Sequence, residues 1–138
     1  MQIKVAKSAG FCFGVKRAVG IAESYAEKGI PAVTLGEIIH NPTVVESLRR
    51  RGVLPIRNIE ECPKGSTVIL RSHGVPLSVI EKLEENGIPY EDATCPFVAR
   101  IHKIVAERTA AGDEVILIGN PDHAEVKGII GHAKGKVH

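Results

Sequence analysis

The sequence has no tryptophan, two tyrosines, three phenylalanines and one methionine in 138 residues. No apolar run approaches the ~20 residues that a helix needs to cross a bilayer, so no segment reads as a membrane span. The N-terminus MQIKVAKSAG lacks the apolar centre of a secretory leader, which makes the cytoplasm the expected compartment. A surplus of one charge is missing too. Eighteen Lys and Arg against 16 Asp and Glu leave a formal +2, which points away from nucleic acid as a partner. The one dense basic run, Arg49-Arg50-Arg51, reads as the solvated end of a helix, where cations suit the macrodipole. Cysteine is scarce: Cys12, Cys62 and Cys95. An odd number at wide spacing argues against a disulfide framework and leaves buried, reactive or metal-bound thiols.

What is present is an alternation of short apolar runs and helical periodicities. Strands are expected at Ile3–Ala6, Ala32–Leu35, Val53–Ile56, Thr67–Leu70, Pro89–Glu91 and Glu114–Ile118. Helices are expected at Val15–Lys28, stopped by Gly29, at Thr43–Arg51, from Pro76 to Asn86, stopped by Gly87, and at Pro96–Ala110. This order predicts an α/β fold of parallel βαβ units with helices covering the sheet.

Between Cys12 and His40, a shift of 83 residues, without gaps, makes seven pairs identical: Cys12/Cys95, Val15/Val98, Arg17/Arg100, Ile21/Ile104, Gly29/Gly112, Gly36/Gly119 and His40/His123. The Gly and Ile pairs have structural reasons: helix stop, strand exit and core face. The Cys and His pairs do not, because packing alone does not require a Cys before a helix and a His after the next strand, twice. The chain thus reads as about one and two-thirds repeats. Residues 1–94 form a first lobe and 95–138 the first part of a second.

Cys12, His40, His73, Cys95 and His123 each follow an expected strand and precede an expected helix. In parallel α/β sheets that is the carboxyl edge, where ligands bind and helix N-termini favour anions. Cys12 lies in AGFCFG and Cys95 in DATCP. Either alone reads as an ordinary buried thiol. As a matched pair at helix starts they read as thiolate ligands. Their separation fits no local zinc or ferredoxin spacing, so one shared metal centre requires the fold to bring them together. A third repeat would complete a three-cysteine site. Cys62, in a turn leading into a strand, lies at the opposite end and is set aside as a free thiol. His40, His73 and His123 suit a phosphate or diphosphate, although each singly also reads as a satisfied loop histidine. Ser72 is expected to add a hydroxyl donor, and Arg71 to add charge or simply to face solvent. Glu125, two residues past His123, is either a proton donor or a carboxylate placed by the helix dipole. His102, His132 and His138 match no repeat and read as surface residues or a frayed end.

The segments AGFCFGVKRAV (9–19), GEIIHNPTVV (36–45), RSHGVP (71–76), DATCP (92–96) and DHAEV (122–126) together resemble the successive motifs of the 4-hydroxy-3-methylbut-2-enyl diphosphate reductase family, the LytB-type iron–sulfur enzymes. The resemblance covers essentially the whole chain. It implies a three-lobed α/β protein with pseudo-threefold symmetry around a [4Fe–4S] cluster, of which this chain is an N-terminal portion without the third lobe. By the resemblance, Cys12 and Cys95 are two of three cluster ligands. His40, His73 and His123 surround the diphosphate, and Glu125 serves proton delivery. It further implies an allylic diphosphate substrate, ferredoxin or flavodoxin as electron donor, and the remainder of the same protein as a partner. Ala124 departs from the proline usual in that motif, and the third cysteine has no counterpart here. Two other readings stand beside it: a phosphate-binding α/β module without a cluster, and a zinc or thiol-redox protein using Cys12 and Cys95.

Overall fold

A computed structural model describes residues 1–138. The two most apolar runs become the inner strands. β1 (Ala32–Leu35) is buried along its length, and β3 (Thr67–Leu70) is buried in all but its first residue. Continuous apolar, β-branched runs suit strands with both faces covered. β1 and β3 pair in parallel through Ala32–Thr67 to Leu35–Leu70. β2 (Leu54–Ile56) and β4 (Tyr90–Asp92) flank them in the order β2-β1-β3-β4, all parallel.

Alternation along the strands divides the apolar side chains between two cores. Ala32 and Ile69 face one side with Ala18, Ala22, Ile38 and Leu48, under α1 (Phe13–Lys28) and α2 (Pro42–Arg50). Val33, Leu35, Val68 and Leu70 face the other with Leu83, under α3 (Leu77–Glu85). The sheet therefore lies between helical layers. α4 (Pro96–Ala110) follows β4, and α5 (Ala124–Ile130) packs on α4. No helix is long and apolar enough to cross a membrane.

Helix boundaries follow local chemistry. α1 ends at Gly29, with φ 64° and its N–H donating to the Ala26 carbonyl, a left-handed stop that glycine adopts without penalty. The Asn41 side chain accepts from the N–H groups of Thr43 (3.1 Å) and Val44 (3.2 Å), capping α2 with Pro42 behind it. The Arg49–Arg51 run does close this helix, and its members pair with Glu46, Glu23 and Glu27. Phe13 and Pro96, the first residues of α1 and α4, are themselves partners at the 83-residue shift, so the repeat is visible as two helices starting in register.

Two expected strands do not form. Residues 3–6 carry no strand, and Ile3 and Val5 are 76% and 79% exposed. Glu114–Ile118 yields one bridge, Val115 to Val137, with Ile116 and Ile118 77% and 94% exposed. Strand preference is largely a preference for packing on a half-buried surface. Neither segment has a sheet beside it to complete a ladder. This contrast is measurable. Leu70→Ala, at a side chain with no exposure, is expected to cost about 2–5 kcal/mol in denaturant unfolding. Ile118→Ala should stay within about 0.5 kcal/mol of the parent.

Candidate functional site

The carboxyl edge of the sheet carries the site. After β1 the chain runs through Gly36 to Ile38 and Ile39, both buried, and presents His40 outward. After β3 it makes the turn Arg71-Ser72-His73-Gly74, and Gly74 has φ 75°. These loops are joined by Ser72, whose hydroxyl and N–H both donate to the Ile38 carbonyl at 3.1 and 3.3 Å. The Ser72 carbonyl accepts from the Cys95 N–H at 2.9 Å, drawing in the loop after β4. The Ser72 hydroxyl is therefore committed to the backbone. That corrects the expectation that it would serve an anion.

His40, His73 and His123 come together although they arise from three separate loops. Ring centroids are 4.4 Å apart for His40 and His73, 5.8 Å for His73 and His123, and 6.0 Å for His40 and His123. His123 is the N-cap of α5, and its Nδ1 accepts from the Glu125 N–H at 3.3 Å, which leaves the proton on Nε2. This contact also sets Glu125 in the first turn of α5, half-buried. His73 Nδ1 is buried and has no hydrogen-bond partner. Burial, then the neighbouring His40, Arg71 and His123, pull His73 from its ordinary 6.5 down to about 4. It is neutral at neutral pH and offers a ring N–H rather than a charge.

Cys12 and Cys95 occupy the N-cap positions of α1 and α4. The fold brings these two helix ends together. Arg17 of α1 donates to the Thr94 carbonyl at 3.2 Å and the Asp92 carbonyl at 3.1 Å, while Asp92 accepts from the Thr94 N–H at 2.8 Å. A Cβ added to Gly14 would collide with the Cys95 Sγ, so Cys95 lies against the first turn of α1, the helix that Cys12 caps. Cys12 is exposed, Cys95 half-buried, and neither is in a disulfide. A thiol pair at two helix ends fits part of the donor set of an iron–sulfur centre. No group of three or more His, Cys, Asp or Glu residues of this chain is arranged to hold a metal ion by itself. Cys62 lies at the amino end of β3, its sulfur near the carbonyls of Pro63 and Ser66.

Two residues read as peripheral in the sequence are not. His102 is 6% exposed, stacked on His132 with centroids 4.2 Å apart, and wedged between Gly74 and Gly128 where side chains would collide or crowd it. The His132 ring contacts the Val75 carbonyl at 3.1 Å. Sequence offered no sign of this beyond the glycines that make room. Arg17 had a sign, since it pairs with Arg100 at the repeat shift, but its role as the tie between α1 and the Cys95 loop needs the fold.

Burial holds His102, like His73, down at about 4; neighbouring His132 lowers it further and Asp92 opposes. The unfolded chain takes up these protons first as pH falls. The contribution of these two histidines to stability is therefore full above about pH 6.5 and is lost as the pH falls through about 4. Thermal melting is expected to shift downward across that window, and to shift less in His73→Asn.

Three comparisons bear on this geometry. Residues 3–138 match the family model described as LytB protein. The chain is 43% identical over 138 residues to the 4-hydroxy-3-methylbut-2-enyl diphosphate reductase of Geobacter sp. (strain M21), covering 100% of this chain and 49% of that protein. It is 46% identical over 135 residues to the reductase of the same name from Aquifex aeolicus, covering 97% and 46%. A solved structure of (E)-4-hydroxy-3-methyl-but-2-enyl diphosphate reductase superposes with a TM-score of 0.83 at 45% identity, over 98% of this chain and 50% of that one. A second, the Plasmodium falciparum E-1-hydroxy-2-methyl-but-2-enyl-4-diphosphate reductase, gives 0.88 at 30% identity, over 96% and 42%. The chain thus spans about half the length of the curated relatives it matches.

Proposed function

The chain belongs to the LytB protein family, and from that premise we propose that it forms the N-terminal half of a 4-hydroxy-3-methylbut-2-enyl diphosphate reductase of the non-mevalonate route to isoprenoids. The observation that carries this reading is the meeting of three imidazoles from three loops, one with a buried, unpartnered nitrogen, on the same rim as two helix-capping cysteines. In this reading residues 1–94 are the first lobe and 95–138 begin the second. The third lobe and third thiolate come from the remainder of the same protein.

Cys12 and Cys95 would hold two corners of a [4Fe–4S] cluster. When bound, the cluster supplies electrons, delivered by ferredoxin or flavodoxin, and a Lewis-acidic iron for the departing hydroxyl. The chain's own residues do the rest. His73, neutral, donates a ring N–H to the diphosphate, and His40 and His123 add donors from the adjoining loops. Glu125 gives a proton to the hydroxyl oxygen, which leaves as water. Two electrons and a second proton then give isopentenyl or dimethylallyl diphosphate from the allylic diphosphate.

The test is metal content after anaerobic reconstitution of the chain with iron and sulfide. Iron and acid-labile sulfide are expected to be bound by the parent and by Cys62→Ser, and lost in Cys12→Ser and Cys95→Ser. Loss in Cys62→Ser would overturn the ligand assignment. A folded chain without iron would favour the phosphate-binding module. His40→Asn and His123→Asn should each weaken inorganic diphosphate binding roughly tenfold or more, from the about 1.5–3 kcal/mol of a hydrogen bond to a charged group.

A further inference from the structure

A concave feature opens on the same edge of the sheet, on the side covered by α3. It is a cavity of about 260 Å³ with Arg57, Arg71 and Lys82 in its wall, Ile59 and Val75 as apolar lining, and Glu60 as its one acid. The three cations reach it from three places: the exit of β2, the exit of β3 and the last turn of α3. None of them enters any of the chain's ion pairs, whereas the cations of the Arg49–Arg51 run are all matched by glutamates. Arg71 is the telling one. It is half-buried, its guanidinium lies against Gly36 where a Cβ would crowd it at 2.9 Å, and its one hydrogen bond, from Nε to the Gly74 carbonyl, is 3.5 Å long. Burial pulls its pKa below the ordinary value. A guanidinium so placed normally faces a carboxylate or phosphate.

We infer that this cavity is a second anion site, distinct from the histidine cluster, that takes a small phosphate or diphosphate ester. Three cations less Glu60 leave a charge of about +2, matching the roughly −1.5 to −2 of a phosphate monoester. Arg71 and Arg57 offer the planar forks that bind phosphate oxygens in pairs, and Ile59 and Val75 give a short carbon chain a dry wall. The volume lies below the roughly 300–1,000 Å³ of sites for drug-sized ligands, and a walled cavity selects a small molecule over a flat protein surface. Arg71 is two residues from His73, and its charge is one of the influences that keep His73 neutral. An anion on Arg71 offsets that charge, so occupancy of this cavity reaches the histidine cluster through one side chain.

The experiment is calorimetric titration of the 138-residue chain with inorganic diphosphate, using the double variants Arg57→Gln/Lys82→Gln and His40→Asn/His123→Asn. All four side chains are exposed, so both variants are expected to melt with the parent. The parent should show two binding events. The Arg57→Gln/Lys82→Gln chain should weaken one at least tenfold and keep the other, and the histidine variant should do the converse. A single event abolished only by the histidine variant would overturn the second site and leave the histidine reading intact. A single event abolished only by Arg57→Gln/Lys82→Gln would uphold the second site and remove the histidine reading. No binding by the parent would overturn both.

Discussion

The rim depends on one serine. With two donors on the Ile38 carbonyl and its own carbonyl accepting from Cys95, Ser72 ties together the three loops that leave β1, β3 and β4. Each loop carries a different reactive group: His40, His73 and Cys95. These bonds are buried, and a buried donor or acceptor that loses its partner costs more than the bond contributes. The loops therefore hold their mutual register far more tightly than surface connections ordinarily do. Arg17 extends the tie to α1 through two further backbone carbonyls, so Cys12 is referred to the same frame. The chemistry-bearing side chains are placed by bonds that use main-chain atoms, which leaves those side chains free.

The polarity of the parallel sheet does the rest. Every strand exits on one edge, so every following helix begins there and presents unpaired N–H groups. The same edge gathers imidazoles, thiols and unmatched guanidinium groups. An all-parallel sheet thus concentrates positive potential on one rim without an excess of positive charge in the composition, where the formal balance is only +2.

Much of this was legible in the sequence, and the limits have physical reasons. β1, β3 and α1 to α4 lie within a residue or two of expectation, because their apolar periodicity, the stop at Gly29 and the starts at Pro42 and Pro96 are local. Ile3–Ala6 and Glu114–Ile118 have equal strand preference but no neighbour, and pairing is not a local property. The rim itself was readable from the position of each Cys and His between strand and helix. What sequence could not supply was competition for the same atoms. Ser72 looked like a free hydroxyl and is bound to Ile38. His102 looked solvated and is 6% exposed, since its burial depends on two distant glycines, Gly74 and Gly128, leaving a slot for it.

That slot governs how the molecule breathes. α5 has seven residues, well short of the ~12–15 at which an isolated helix becomes even marginal in water. It persists by docking on α4, with Gly128 packed against the His102 ring. Amide protons of α5 are thus governed by undocking rather than by global unfolding, and exchange with solvent ahead of those in β1 and β3. His123 and Glu125 travel with this least autonomous element, while His40 and His73 stay with the sheet. One corner of the imidazole triangle is therefore built on a separable cooperative unit, and the rim has a rigid side and a yielding one.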